Sequence, residues 1–268
     1  MNLASLLPHL DRLIEADAGD RKQRALAPIE RRLRRAAAKA FRVQERAFLR
    51  RFARLRMQFP PELREAPPSD QWGPLWEETE TETGALWRNP AEDAISDSLA
   101  TGAAHAAGDA AAWGIEGTFN LPNPEAVEYL RTAPLNLTKF VNDTSREQVR
   151  AVLVQAADEG WGYTKTTKEL RTLFAGMRRH RAETIAITET GQAYEVGNRS
   201  VRARVHAQLP LEKSWLTVGT ENVCPICRGN EGEGWIPFDQ LFQSGHDHPV
   251  GHARCRCTSL ARRAGAEG

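Results

Sequence analysis

Between Ala25 and Met57 the apolar residues return at three- and four-residue steps: Leu26, Ile29, Leu33, Ala37, Ala40, Phe41, Phe48, Phe52 and Leu55. With arginines filling the intervening positions, that period predicts one long amphipathic helix. Pro28 falls near its first turn, where a missing N–H costs little, and Pro60-Pro61 marks its stop. At 1.5 Å per residue such a helix runs roughly 50 Å. That is longer than a small globule needs, so the helix is expected to project or to pack against a neighbour.

From Pro60 to Pro90 the pattern breaks into an acidic, proline-punctuated connector carrying Trp72, Trp76 and Trp87 as aromatic anchors. The alanine-rich stretch from Ala91 to Trp113 predicts a second helix, with Gly102 and Gly108 weakening its continuity. Beyond the turn cluster Leu121-Pro-Asn-Pro124, the chain predicts a short helix to Thr132. A better-marked helix follows from Ser145 to Gly160, capped by Thr144 or Ser145 and striped by Val149, Val152, Leu153 and Ala156. Thr164 or Thr166 opens another, ending at Gly176. A longer helix runs from Arg178 to about His206, where Gly191 and Gly197 imply close backbone approach rather than termination. After Leu211 the period shortens: Trp215–Val218, Trp235–Phe238 and Cys255–Leu260 read as extended pieces. The fold class is therefore mainly α with a small α+β C-terminal module. Its parts are a basic helical arm over 1–60, an acidic Trp/Ala-rich connector and helix over 61–120, and a domain over 121–268 that contains the small module at 211–260.

Charge sharpens this division. The 268 residues carry a formal net charge of only +1. Yet Arg21–Arg56 holds fourteen basic residues against Glu30 and Glu45, a balance of +12, and Glu62–Asp97 holds ten acids against Arg64 and Arg88, a balance of −8. The exposed cations expected on the helix (Arg31, Arg32, Arg34, Arg35, Lys39, Arg42, Arg46, Arg50, Arg51 and Arg54) suit sequence-blind, salt-sensitive contact with phosphates. They equally suit pairing with the acidic segment of the same chain. No stretch approaches the roughly 20 apolar residues that cross a bilayer, and the N-terminus lacks the basic region of a signal peptide.

All four cysteines lie in the last 45 residues, as Cys224-Pro-Ile-Cys227 and His252-Ala-Arg-Cys255-Arg-Cys257. Two disulfides would use the same residues but need an oxidising compartment. A closed zinc site needs four N or S donors in a tetrahedron, and a Cys-x-x-Cys turn plus a second short segment supplies them. Cys224, Cys227, His252, Cys255 and Cys257 are five candidates for four places. If Cys255 and Cys257 stand on a strand they face one side together, with Arg254 and Arg256 on the other. Metal would then supply stability that a module so small cannot draw from apolar burial. Glu183 and Glu189, six apart on one helix, do not share a face and read as capping or salt-bridging groups. No serine triad, glycine-rich phosphate loop or dinucleotide fingerprint occurs.

The order of a helix ending at Glu159-Gly160, a helix bearing Arg181-Ala-Glu-Thr-Ile-Ala-Ile-Thr-Glu-Thr190, Trp215, Cys224-Pro-Ile-Cys227, Gly229 and His252-Ala-Arg-Cys255-Arg-Cys257 resembles the phage Mu protein F-like head morphogenesis proteins. The resemblance spans about Leu135 to Leu260. It departs from the family pattern at Ala253, where a proline usually follows the histidine. It implies a minor capsid protein of the virion rather than an enzyme. Such a protein is made in the host cytoplasm, assembles with the phage portal and other head proteins, and contacts double-stranded DNA in some members. The alternative is a zinc-stabilised HNH-like nuclease using His246-Asp247-His248, although only eleven residues follow Cys257 to complete such a site.

Overall fold

The computed structural model describes residues 7–58, 72–115, 124–218 and 223–265. The Pro60-Pro61 and Pro67-Pro68 punctuation and the Leu121–Asn123 part of the turn cluster lie outside these residues. The chain is mainly helical, with a small antiparallel sheet near the C-terminus, as the pattern of apolar positions implied. Its elements are α1 (Leu7–Gln58), α2 (Trp72–Thr83), a 3₁₀ turn (Gly84–Trp87), α3 (Arg88–Ala112), α4 (Pro124–Asp158), α5 (Tyr163–Gly176), a π turn (Met177–Arg181), α6 (Ala182–His206), β1 (Leu211–Leu216), α7 (Pro225–Gly232), β2 (Ile236–Pro237) and β3 (Thr258–Arg263).

Several boundaries differ from the sequence expectation, each for a local reason. Helix α1 begins at Leu7, so Pro28 sits well inside it rather than near the first turn. Its ring is on the exposed side of the helix, where a lost backbone hydrogen bond is cheapest. Helix α4 runs unbroken through Pro134 and through the proposed cap. There Thr144 and Ser145 donate back to the carbonyls of Phe140 (2.8 Å) and Val141 (2.7 Å) instead of starting a helix. The stretch expected as one helix from Arg178 opens as a π turn. Strand β3 begins only at Thr258, after both cysteines of its segment.

The described residues group into two compact units built from non-consecutive segments. The first takes Met1–Arg31, Ala94–Leu130 and Thr184–Gly268; the second takes Arg32–Asp93 and Arg131–Glu183. In the first, Ala103, Ala106 and Ala110 of α3 pack with Val201 and Val205 of α6 and with Leu211 and Phe238. Glycines let α3 and α6 approach closely. A Cβ on Gly102 would lie 1.9 Å from the Tyr194 carbonyl oxygen, and one on Gly197 would lie 2.0 Å from that of Leu99. Gly197 thus does what its position in the pattern implied, and Gly102 marks an approach rather than a break. The sheet has order β2-β1-β3, with β1 antiparallel to both neighbours and Trp215 opposite Ser259.

In the second unit α1 packs rather than projects. Leu33, Ala37, Phe41, Phe48 and Phe52 are all buried. Phe41 meets Trp87 edge-on at 4.7 Å, and Phe48 lies 6.0 Å from Trp76. Trp76 and Trp87 are therefore the anchors expected of the acidic connector, and part of that connector is the helix α2.

Candidate metal centre

The five donors come together at the C-terminal end of the chain. Cys224 follows β1 and caps α7, its sulfur accepting from the Cys227 N–H at 3.3 Å with Pro225 in the first turn, where proline fits. The return segment makes a tight turn in which the Cys255 N–H donates to the His252 carbonyl at 3.1 Å. Arg254 holds φ at +65°, a left-handed conformation uncommon for a side chain of its size.

Two overlapping donor groups result: Cys224, Cys227 and His252, and Cys227, Cys255 and Cys257. Within each, the ligand atoms lie within 4.8 Å of one another. Cys227 belongs to both. Tetrahedral zinc with Zn–S bonds near 2.3 Å sets its sulfurs about 3.8 Å apart, and the Cys227 and Cys255 sulfurs are 3.7 Å apart. Cys227, Cys255 and Cys257 are buried, Cys224 is half-buried and His252 is exposed. The His252 Nδ1 lies 2.8 Å from the Ala253 carbonyl. The cluster can hold a metal ion.

Thiol acidities within the cluster diverge. A hydrogen bond with Cys257 pulls Cys255 down to about 5, whereas burial pushes Cys227 up to about 12. The hydrogen bond with Cys255, together with burial, raises Cys257 far above the usual thiol range. Buried sulfurs this close cannot all ionise unaided, and a bound cation would let them do so.

The expected strand carrying Cys255 and Cys257 is instead a turn and an extended approach to β3, because two helices hold this backbone from outside the sheet. Lys22 of α1 donates to the Cys257 carbonyl at 2.6 Å and to Glu195 of α6 at 2.7 Å. Glu195 accepts in turn from the Thr258 hydroxyl and from the Ser259 hydroxyl and N–H. Gln23 donates to the Arg256 carbonyl at 3.2 Å, and the Arg256 guanidinium spans both oxygens of Glu30 at 3.0 and 3.1 Å. From α6, Thr188 accepts from the Arg254 N–H at 3.0 Å and Gln192 accepts from the Val250 N–H at 3.4 Å.

None of Lys22, Thr188, Gln192 or Glu195 stood out in the sequence as a site residue, and Lys22 was counted with the basic stripe. A signal existed. Lys22 occupies the same helical stripe as Leu26 and Ile29, and Thr188, Gln192 and Glu195 recur at four and three residues.

The basic stripe is placed as expected on the helix surface, but not all of it is free of its own chain. Arg31, Arg32, Arg34, Arg35, Lys39, Arg42, Arg46, Arg50 and Arg54 are exposed, and Arg51 is half-buried. Arg50 meets Glu82 at 2.9 Å; Arg51 meets Glu78 at 3.1 Å and Glu82 at 2.8 Å. Arg34 lies 3.9 Å from Glu183, giving that carboxylate its salt-bridging role. Pairing with the acidic segment is thus real, and among the described residues it is confined to one end of the stripe. Among the described residues, Arg35, Lys39, Arg42, Arg46 and Arg54 meet no carboxylate.

His246-Asp247-His248 is arranged differently from the metal donors. The Asp247 carboxylate is held by Lys213 and Arg199. His246 shares a hydrogen bond of 2.9 Å with Ser244 and packs against Trp215, and His248 engages the Pro249 carbonyl. Among the described residues, neither donor group includes any of the three.

No curated protein and no solved structure matches this chain. A protein-family model described as Phage Mu protein F like protein matches residues 147–260. The match begins within α4 and ends within β3, so it covers α6 and all five donors but not α1, the other helix that buttresses the cysteine cluster. Over residues 147–260, the chain is similar to the Phage Mu protein F like family.

Proposed function

We propose that this protein is a structural phage head morphogenesis protein, built into the virion as a minor component at the portal vertex, and not an enzyme. The family match over 147–260 carries this reading, since the matched region contains the whole cysteine cluster together with α5 and α6. Zinc is the metal we assign to the cluster. It is held by the thiolates of Cys224, Cys227, Cys255 and Cys257, with the exposed His252 at the rim. Bound there, zinc supplies cross-links between α7 and the approach to β3, and it carries no reaction. Four ionised sulfurs would leave net negative charge on the site, and the Lys22 ammonium, itself paired with Glu195, donates to the Cys257 carbonyl beside them. The unpaired cations of α1 contact the portal or packaged DNA. Among the described residues no helix is long and apolar enough to cross a membrane.

Co-purification of the full chain with the portal protein of the same genome, followed across a salt series, tests this. A complex of fixed stoichiometry is the expected result; no complex at any salt would overturn the portal assignment. Full-length protein that failed to bind duplex DNA at about 50 mM salt, where phosphate attraction is strong, would remove the DNA contact.

A further inference from the structure

Within the second unit, α1 and α5 border an open groove in two adjoining parts, of 720 Å³ and 550 Å³, which share Glu45, Tyr163, Thr167, Arg171 and Arg178. Arg42, Arg46 and Arg50 stand four residues apart along its α1 rim. Lys168, Arg171 and Arg179 stand on the other side. The π turn between α5 and α6 contributes Arg178 and Arg179, consistent with the extra residue of a π turn re-aiming side chains. The groove's one carboxylate, Glu45, is already engaged by Arg178. Between the cationic rims lie Leu49, Ala53, Tyr163 and Ala175, an apolar floor.

We infer that this groove binds an acidic amphipathic helix of a partner protein, with carboxylates four residues apart on one edge and small apolar side chains beside them. Three observations favour such a helix over a nucleic acid strand. An apolar floor stabilises an amphipathic helix and gives a phosphodiester backbone nothing to pair with. The aromatic ring in the groove is already engaged: Tyr163 stacks on Phe52 at 5.2 Å, and the Arg56 guanidinium lies 4.3 Å from its centre, so it is a poor platform for a base. Finally, the chain itself shows the recognition at the end of the same arginine row. There Glu78 and Glu82 of α2, four residues apart, meet Arg51 and Arg50, with Arg50 reaching both oxygens of Glu82.

The partner's place at the portal vertex rests on the proposed function, but the binding does not. Fluorescence anisotropy on the full-length, metal-loaded protein tests it, with a labelled helical peptide of about 18 residues, roughly five turns. The peptide carries glutamates four apart and leucine and alanine on the adjoining face; a second copy has glutamine for every glutamate. The acidic peptide is expected to bind. The glutamine copy and the Arg46→Glu protein should each weaken binding about tenfold or more, as loss of a complementary charge does. Arg46→Lys should keep part of the affinity, and an unchanged melting temperature for both variants shows that the fold is intact. Equal binding of the two peptides, equal binding by Arg46→Glu, displacement of the acidic peptide by duplex DNA at physiological salt, or dimerisation through Arg46 without peptide would each overturn the inference. Loss of portal co-purification with peptide binding intact would count against the portal assignment alone.

Discussion

The Lys22 ammonium and the Glu195 carboxylate meet at 2.7 Å with side chains only 1 % and 0 % exposed, 173 residues apart in sequence. Burial opposes ionising Glu195, and the Lys22 charge with the hydrogen bonds from Lys22 and Ser259 overcomes it, so the carboxyl stays below its ordinary range. That pair ties α1 to α6, and through the Cys257 carbonyl it ties both to the cysteine cluster. Removing one partner leaves the other buried and uncompensated, at a cost of about 3–5 kcal/mol. Lys22→Met is therefore expected to destabilise the protein by that order in denaturant unfolding. Lys22→Met with Glu195→Gln should cost clearly less than the two single changes added together. A single-variant loss under about 1 kcal/mol, the scale of a surface pair, would show the pair to be incidental. Because the folded carboxyl is depressed, this stabilisation is present above the ordinary carboxylate range and is lost as the pH falls through the lowered value.

The reciprocal glycines of α3 and α6 leave no room for a methyl group on either side. Gly102→Ala and Gly197→Ala should each cost at least about 1–3 kcal/mol, the usual range for overpacking. Gly108→Ala, where a Cβ would meet nothing within 4 Å, should be neutral or slightly stabilising. Melting curves of the three variants check this, and equal melting temperatures would contradict the close crossing.

Metal content discriminates the donors. Cys227→Ser is expected to abolish binding, because Cys227 is the donor common to both groups. His252→Ala should retain one zinc per chain. Elemental analysis after dialysis measures both, and loss of zinc from His252→Ala would move the histidine into the ligand set. Chelation should lower the melting temperature and the sheet signal of the wild-type protein, since metal binding energy is folding energy in a module of this size.

Glu189 gives a pH dependence of the opposite sign. Burial raises its carboxyl from 4.5 to about 7, so between those values the folded state keeps a proton that the unfolded state has released. Stability from this group is full below about 4.5 and is lost as the pH rises through 7. Glu189→Gln should therefore match the wild type near pH 4 and exceed it by about 3 kcal/mol at pH 8. An unchanged difference across that range would show the carboxyl to be solvated.

Much of the site was legible in the chain because it is written locally. Cys-x-x-Cys and His-x-x-Cys-x-Cys are short spacings whose chemistry depends on nearest neighbours, and the helices carrying apolar periods are set by steps of three and four residues. The anchors Trp76 and Trp87 and the close approach at Gly197 were equally readable. Local signals failed where a tertiary partner competed with them. Ser145 resembles a cap, but its hydroxyl finds the Val141 carbonyl and the Arg181 guanidinium. Cys255 and Cys257 resemble a strand, but Lys22, Gln23 and Thr188 hold that backbone outside the ladder.

By itself, then, the sequence determined the helical class, the grouping of the cysteines and the split of charge between α1 and the acidic segment, since composition and short spacings carry each of these. Only the tertiary structure decided which cations are spent on Glu78 and Glu82 and which remain exposed. It also showed that a lysine counted with a charged surface is buried against a glutamate beside the cluster. Ion pairs are chosen by distance in space, and the partners here lie 27 to 173 residues apart along the chain.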